Sequence, residues 1–323
     1  TLLFDTGRKV ADGERIGALL WGLSGSDLIM ITSHYDSDHM GAVEVIFSGP
    51  DGAPGVAGVD DDASGGTDET TLPGEYGATG SDDLIPAQIF DRGTTDPPTT
   101  VDWDQYLAAT DQIRSALVPG QLIPMGLPGL TVEVLAVNGL LPDGTDVNAQ
   151  YENDRSVVLF LRYGGFEMLL PGDLPAYTEA LVAQYLADRG DSLDVLHTGH
   201  HGSYTATDPL TVALLQPEVA IISVGDSPSC GPGFNAYGHP SQETLDTLYE
   251  GGVTAIYHTE EGGALMATGT CTADPSETYP RNYYTMEKYV AYEDILLRTD
   301  GTHYTISYGF HSKRRIVDQP VPY

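Results

Sequence analysis

Six consecutive residues, His34-Tyr35-Asp36-Ser37-Asp38-His39, bring together two imidazoles and two carboxylates. They follow directly on residues 27–33, Asp-Leu-Ile-Met-Ile-Thr-Ser, an apolar run that reads as a buried strand. Groups of this kind crowded into one turn repel or compete unless a cation joins them, and imidazole nitrogen and carboxylate oxygen are the ligands divalent metals take. The alternation lets His34 and Asp36 face one cation while Asp38 and His39 face its neighbour. The bland alternative is a His/Asp-rich surface turn.

Three further clusters stand at the ends of apolar runs. Leu169-Leu170-Pro171-Gly172-Asp173 places one carboxylate at the carboxyl edge of a strand, where Asp173 is suited to bridge two cations; alone, it would read as a helix N-cap. Leu196-His197-Thr198-Gly199-His200-His201-Gly202-Ser203 carries a histidine pair between glycines. One of the pair would complete a second metal and the other would bind substrate or donate a proton. The reading inclines to His200 as ligand, with His201 and Ser203 as catalytic groups. Tyr237-Gly238-His239-Pro240 precedes a helix, and His239 could reach a leaving group or an oxyanion, or simply occupy a helix-entry turn.

The elements that must position these groups alternate between strand and helix. Leu2–Asp5 reads as a short strand and Met40–Phe47 as helical. Residues 48–129 are rich in Gly, Pro, Asp and Thr, with helical spacing only at 102–118, and read as a large acidic insertion covering the site. Strands resume at 130–137, 156–163 and 166–170, the last two joined at Gly164-Gly165. Helices at 176–188, 210–215 and 242–249 alternate with strands at 193–196, 219–224 and 254–257. Residues 260–323 form a C-terminal extension, with strands at 294–298 and 303–308 and a Tyr-rich insertion near 279–292. Two β-rich halves with helices outside predict one α/β domain, a four-layer αββα sandwich with the site at one edge.

Composition narrows the setting. Among 323 residues, 47 acids against 14 Lys plus Arg leave a net charge of −33, which reads as adaptation to a saline exterior. Such a charge argues against tight non-specific DNA binding, which needs clustered basic groups. The stretch Asp60-Asp61-Asp62 to Asp68-Glu69 could hold Ca2+, although it lacks the ordered alternation of a dedicated loop. Cys230 and Cys271, both in Gly, Pro, Ser and Thr-rich segments, suggest one disulfide in an exported protein, or else two free thiols. No apolar run is long enough for a membrane-spanning helix. The opening Thr1–Gly7 reads as the end of a strand and suggests a mature or trimmed chain. No protein partner is inferable.

In this order, His-x-Asp-x-Asp-His, Gly-Asp, His-His-Gly-Ser and Tyr-Gly-His-Pro resemble the metallo-β-lactamase superfamily. More narrowly, they resemble the hydrolase domain of ComEC-type DNA-uptake competence proteins. Phe4-Asp5-Thr6-Gly7, Asn153-Asp154-Arg155-Ser156, Tyr163-Gly164-Gly165-Phe166 and Ile221–Gly225 support the likeness. The resemblance implies a first metal on His34, Asp36 and Asp173, and a second on Asp38, His39, Asp173 and His200. It also implies Asp5 orienting a ligand histidine and a hydroxide between the cations as nucleophile. Catalytic roles would fall to Asp38, His201, His239 and Ser203. The common superfamily pattern has a histidine at position 36 and another before the bridging Asp; ComEC-type domains share both departures. Asn153 falls near that vacant place, and His197 stands where ComEC-type domains commonly carry lysine, so both are expected behind the ligands. An oxygen-rich first site implies Zn2+ or Mn2+ with one tight and one weaker position. The activity expected is that of an extracellular phosphodiesterase or nuclease, with nucleic acid or another phosphodiester engaged near Arg155, Arg162 or Lys313-Arg314-Arg315. An esterase, lactonase, β-lactamase or phosphocholine-ester hydrolase is the alternative.

Overall fold

Strands buried on both faces organise this chain, and they account for the continuous apolar runs of its sequence. In the computed structural model the residues described are 1–8, 10–21, 28–48, 86–110, 113–225, 239–259, 286–291, 294–308 and 317–320. They fall into two compact units, Thr1–Val118 and Pro119–Tyr323, where the sequence reads as a single domain.

The first unit contains β1 (Leu2–Phe4), α1 (Val10–Trp21), β2 (Ile29–Ile31), α2 (Ser37–Met40), α3 (Val43–Ser48), β3 (Gln88–Asp91), α4 (Val101–Thr110) and β4 (Arg114–Ala116). Its four strands pair in parallel in the order β1-β2-β3-β4. Met30 and Ile89 from the sheet pack with Leu20, Met40, Val43, Ile46, Trp103 and Tyr106 from the helices. A Cβ on Gly13 would lie 2.9 Å from Cβ of Val45, so glycine permits the close approach of α1 to α3.

Within the segment 48–129, the described residues contribute two strands to this sheet. Residues 88–91 form an interior strand of the sheet, and the helix expected over 102–118 ends at Thr110 so that Arg114–Ala116 can pair with β3. A four-residue strand is too short to announce itself by periodicity; pairing and burial decide it. Helix α1 was likewise not anticipated. The acidic stretch 60–69, Cys230 and Cys271, Tyr237-Gly238 and Lys313–Arg315 lie outside the described residues.

The second unit contains β5 (Leu130–Ala136), β6 (Val158–Tyr163), β7 (Phe166–Leu170), α5 (Ala176–Asp188), β8 (Val195–His197), α6 (Pro209–Leu215), β9 (Val219–Ile222), α7 (Gln242–Glu250), β10 (Ala255–His258) and β11 (Glu287–Val290). It ends with β12 (Ile295–Thr299), β13 (His303–Tyr308) and β14 (Val317–Pro320). Its mixed sheet runs β11-β10-β9-β8-β7-β6-β5, parallel from β11 to β7 and antiparallel from β7 to β5. Alternate residues serve the two faces. Leu169, Leu196, Ala220, Ile222 and Ile256 meet Val182, Leu186, Val212, Leu215, Leu245 and Leu248 of the helices. Phe166, Val195, Val219, Ile221 and Tyr257 meet Tyr304 and Ile306 of β13, from the small antiparallel sheet β12-β13-β14. The Gly164-Gly165 hairpin forms as expected, and a Cβ on Gly164 would come within 2.5 Å of the Gly301 carbonyl. Among the described residues, no helix is long and apolar enough to cross a membrane.

Glu179 on α5 is fully buried and accepts a hydrogen bond from the Thr207 backbone N–H at 3.1 Å. Burial pushes its carboxyl up to about 7 from an ordinary 4.5. The folded state therefore holds the proton more tightly than the unfolded chain. The resulting stabilisation is complete below pH 4.5 and is lost as pH rises through about 7. The shift is equivalent to about 3 kcal/mol. Glu179→Gln is accordingly expected to gain about 3 kcal/mol on the native protein between pH 5 and pH 8, read as the difference of their urea-unfolding free energies. A difference independent of pH would show that this carboxyl does not titrate in that range.

Candidate metal centre

The ligand-type residues form two half-sets, one in each unit. In the first unit, β2 delivers Thr32, Ser33 and His34, all buried, and the chain then turns through α2 to His39, also buried. Asp5, at the end of β1, holds this turn from behind. Its Oδ1 accepts from the Ser33 backbone N–H at 2.7 Å, and its Oδ2 accepts from Ser33 Oγ and lies 2.8 Å from both Ser33 Oγ and His39 Nδ1. Ser33 Oγ is in turn 2.9 Å from His34 Nδ1.

These contacts fix protons. A carboxylate only accepts, so His39 must present Nδ1–H to Asp5. The single Ser33 hydroxyl proton goes to Asp5, so Ser33 Oγ accepts from His34 Nδ1–H. Both rings are thereby left with the lone pair on Nε2, the tautomer a metal-binding histidine needs. The ring centroids are 4.1 Å apart, and Asp36 Oδ2 lies 3.5 Å from His34 Nε2. Asp38 occupies the exposed side of the same turn. Asp5 itself sits at φ 62, a left-handed conformation that Asp and Asn tolerate better than most residues. Thr6 adds a clamp, its N–H and Oγ1 donating to the His39 carbonyl at 2.9 and 3.1 Å.

Sequence reasoning missed Ser33, whose position directly before His34 is the one available hint, and it missed what Tyr35 does. Tyr35 is buried and donates to the Gly93 carbonyl at 2.7 Å, while accepting from Arg114 Nη2 at 2.9 Å. Arg114 Nε also pairs with Asp91 at 2.7 Å, Arg92 lies over the Tyr35 ring at 4.1 Å, and Ser37 Oγ bonds Asp102. β3, β4 and α4 therefore anchor the ligand turn through its intervening side chains.

In the second unit, Asp173 follows β7 and is buried. The histidine pair occupies the kinked turn Gly199–Gly202, in which His200 and His201 both take left-handed backbone, φ 47 and 53. Such conformations cost roughly 1–3 kcal/mol each and persist where surroundings impose them. The His200 N–H donates to the Gly172 carbonyl at 3.1 Å, and a Cβ on Gly202 would meet Cβ of Pro240 at 2.7 Å. The turn aims both rings at one atom: Nε2 of His200 and of His201 lie 3.6 and 3.8 Å from Asp173 Oδ2.

The two rings differ in their protons. His201 Nδ1 is 2.9 Å from the Ser223 carbonyl, which can only accept, so its lone pair is on Nε2. His200 Nδ1 faces the Asn153 amide nitrogen at 3.3 Å and Thr205 Oγ1 at 3.1 Å. With the amide nitrogen toward the ring, Nδ1 accepts and His200 carries its proton on Nε2. The two histidines of the pair thus meet different partners, a carbonyl behind His201 and an amide and a hydroxyl behind His200. Asn153 meets His200, and His197 Nε2 lies 2.8 Å from Oγ of Ser223, whose carbonyl faces His201. The His239 ring centroid is 5.5 Å from that of His200. Ser203 is buried, with Oγ 2.9 Å from Thr205 Oγ1 within the turn.

The match to known proteins lies with the competence proteins. No protein-family model matches the chain. It is 32% identical over 137 residues to ComE operon protein 3 of Bacillus subtilis (strain 168), covering 42% of this chain and 16% of that protein. It is 38% identical over 104 residues to Recombination protein 2 of Haemophilus influenzae, covering 32% of this chain and 12% of that protein. In sequence the chain is similar to the ComEC-type competence proteins. Similar solved structures include a metal-dependent hydrolase of the beta-lactamase superfamily, at TM-score 0.37 and 11% identity, over 93% of the ComEC-like chain and 89% of the other. Unliganded yeast PDE1 matches at TM-score 0.33 and 10% identity, over 72% and 56% of the respective chains. The ComEC-like chain thus spans only a small part of the competence proteins it matches.

Proposed function

We propose that this ComEC-like chain is a metal-dependent phosphodiester hydrolase, a nuclease in the first instance, working outside the cytoplasm in a saline medium. The observation that carries the reading is the fixing of protons on three imidazoles. Asp5, Ser33 and the Ser223 carbonyl commit Nδ1 of His39, His34 and His201 and so reserve Nε2 as donor. That donor chemistry, with carboxylates beside it, fits a divalent cation. His34, Asp36, Asp38 and His39 in the first unit would hold a cation, as would Asp173 and His201 in the second, Zn2+ or Mn2+, with the oxygen-richer position the weaker. A divalent cation so held polarises a phosphoryl oxygen and acidifies water. His200 holds a proton at Nε2 that can pass to a departing oxygen, and His239 beside it can share that duty.

A second reading keeps the cations and changes the bond to a neutral or cationic ester, lactam or phosphocholine ester. The net charge of −33 favours it, as does Arg162, one of the basic groups expected to meet DNA. Arg162 is instead committed to Glu167 at 2.8 Å and to Asp191. Turnover of bis-(p-nitrophenyl) phosphate, single- and double-stranded DNA, a p-nitrophenyl ester and nitrocefin with Mn2+ or Zn2+, beside Asp38→Ala, separates the two. Diester or DNA cleavage lost in the variant is expected. Ester or lactam turnover with inert DNA would replace the first reading by the second.

A further inference from the structure

Three tyrosines of the second unit stand open to solvent on segments that also carry partners of His200. Tyr151 is 76% exposed, Tyr177 52% and Tyr204 71%. Hydrogen bonds hold the Tyr177 side chain and the Tyr151 backbone in place. Asp154, itself buried, accepts from the Tyr177 hydroxyl at 2.6 Å through Oδ1 and from the Tyr151 N–H at 3.0 Å through Oδ2. The neighbouring Asn153 reaches His200 Nδ1. Tyr204 lies between Ser203 and Thr205; Thr205 Oγ1 also meets His200 Nδ1, and the Thr205 carbonyl accepts from the N–H of Ala176, the residue before Tyr177. Each ring is therefore tied within one or two residues to a group that touches His200. Rings this exposed contribute little to the core.

We infer that Tyr151, Tyr177 and Tyr204 form a stacking platform for the unpaired bases of a single-stranded nucleic acid, leading its backbone to the His200 side of the site. The inference rests on the hydrolase reading above and names its substrate class. A chain carrying −33 cannot gather a polyanion by long-range attraction, whereas base–aromatic stacking needs no net charge. The same loop carries Arg155, which donates to the carbonyls of Tyr151 at 3.1 Å and Ala149 at 3.4 Å. Rings this exposed form open faces for planar groups, not the enclosed cage that a quaternary ammonium requires.

The test compares Tyr151→Ala and Tyr204→Ala with the corresponding Phe variants, which keep the π-face and lose only the hydroxyl. Each alanine variant is expected to raise KM for oligothymidylate roughly 10-fold while leaving kcat and the turnover of bis-(p-nitrophenyl) phosphate unchanged, and each Phe variant to restore KM. Equilibrium binding of fluorescent oligothymidylate and oligouridylate in the presence of a chelator reads the platform without catalysis and assigns DNA or RNA as the source of the bases. Absence of diester turnover in the native protein would therefore defeat the hydrolase reading alone. Native-like binding by both alanine variants, failure of Phe to rescue, or a loss confined to p-nitrophenyl phosphocholine would overturn the platform.

Discussion

Alanine at position 201 is expected to abolish retention of the tightly bound cation and to lower hydrolysis to that of chelator-treated protein. Alanine at position 200 should leave that cation in place and depress kcat. The contrast follows from what each Nδ1 faces. Ser223 offers His201 a carbonyl, so the ring must donate there and keep its Nε2 lone pair. Asn153 turns its amide nitrogen toward His200 Nδ1; under the proposed assignment the His200 proton is on Nε2 and serves proton transfer, not coordination. Metal content after gel filtration, measured with kcat on a diester, checks both variants together. Loss of metal from His200→Ala with retention in His201→Ala would exchange the two assignments.

Asp5→Asn carries the second large effect. The amide keeps an oxygen for the Ser33 N–H and tolerates the left-handed backbone at φ 62, so the fold is conserved. Its NH2, however, replaces the oxygen that now lies 2.8 Å from both Ser33 Oγ and His39 Nδ1. A donor in that place drives the His39 proton to Nε2 and removes the acceptor that orders the Ser33 hydroxyl toward His34. One substitution therefore disturbs two imidazoles. Losing a group behind a single ligand typically costs 10–100-fold in metal affinity, so a drop near about 100-fold is expected. Ser33→Ala, which loosens His34 alone, should fall short of it. Competition against a chromophoric chelator measures both, and wild-type affinity in Asp5→Asn would mean that Asp5 does not set the tautomers.

The ends of the strands were legible because burial on both faces writes an unbroken apolar run that stops where the chemistry begins. The runs before His34, Asp173 and His197 end as β2, β7 and β8 end, or within a few residues of it. The relation of His200 to His201 was not legible, since two adjacent histidines look alike until Ser223 and Asn153, from other parts of the chain, meet them. Ser33 and Ser223 are too common a residue type to stand out in a sequence. The 88–116 region was misread because its strands are short and its apolar groups few, while Asp91, Arg92 and Arg114 look like surface residues. In the fold these three are buried or nearly so, held by Tyr35, Tyr106 and one another. Arg162 shows the converse: a basic residue read as available for DNA is already engaged by two carboxylates.

The central claim is that Nδ1 of His34, His39 and His201 is committed to the protein so that Nε2 can bind metal. A crystal structure of the protein grown with Mn2+ and Zn2+, with anomalous scattering collected at each metal edge, tests it most directly. Anomalous peaks bonded to the three Nε2 atoms, with Ser33, Asp5 and the Ser223 carbonyl still on the Nδ1 atoms, are the result predicted. Peaks bonded through Nδ1, or density with no anomalous scatterer at any of these rings, would contradict it.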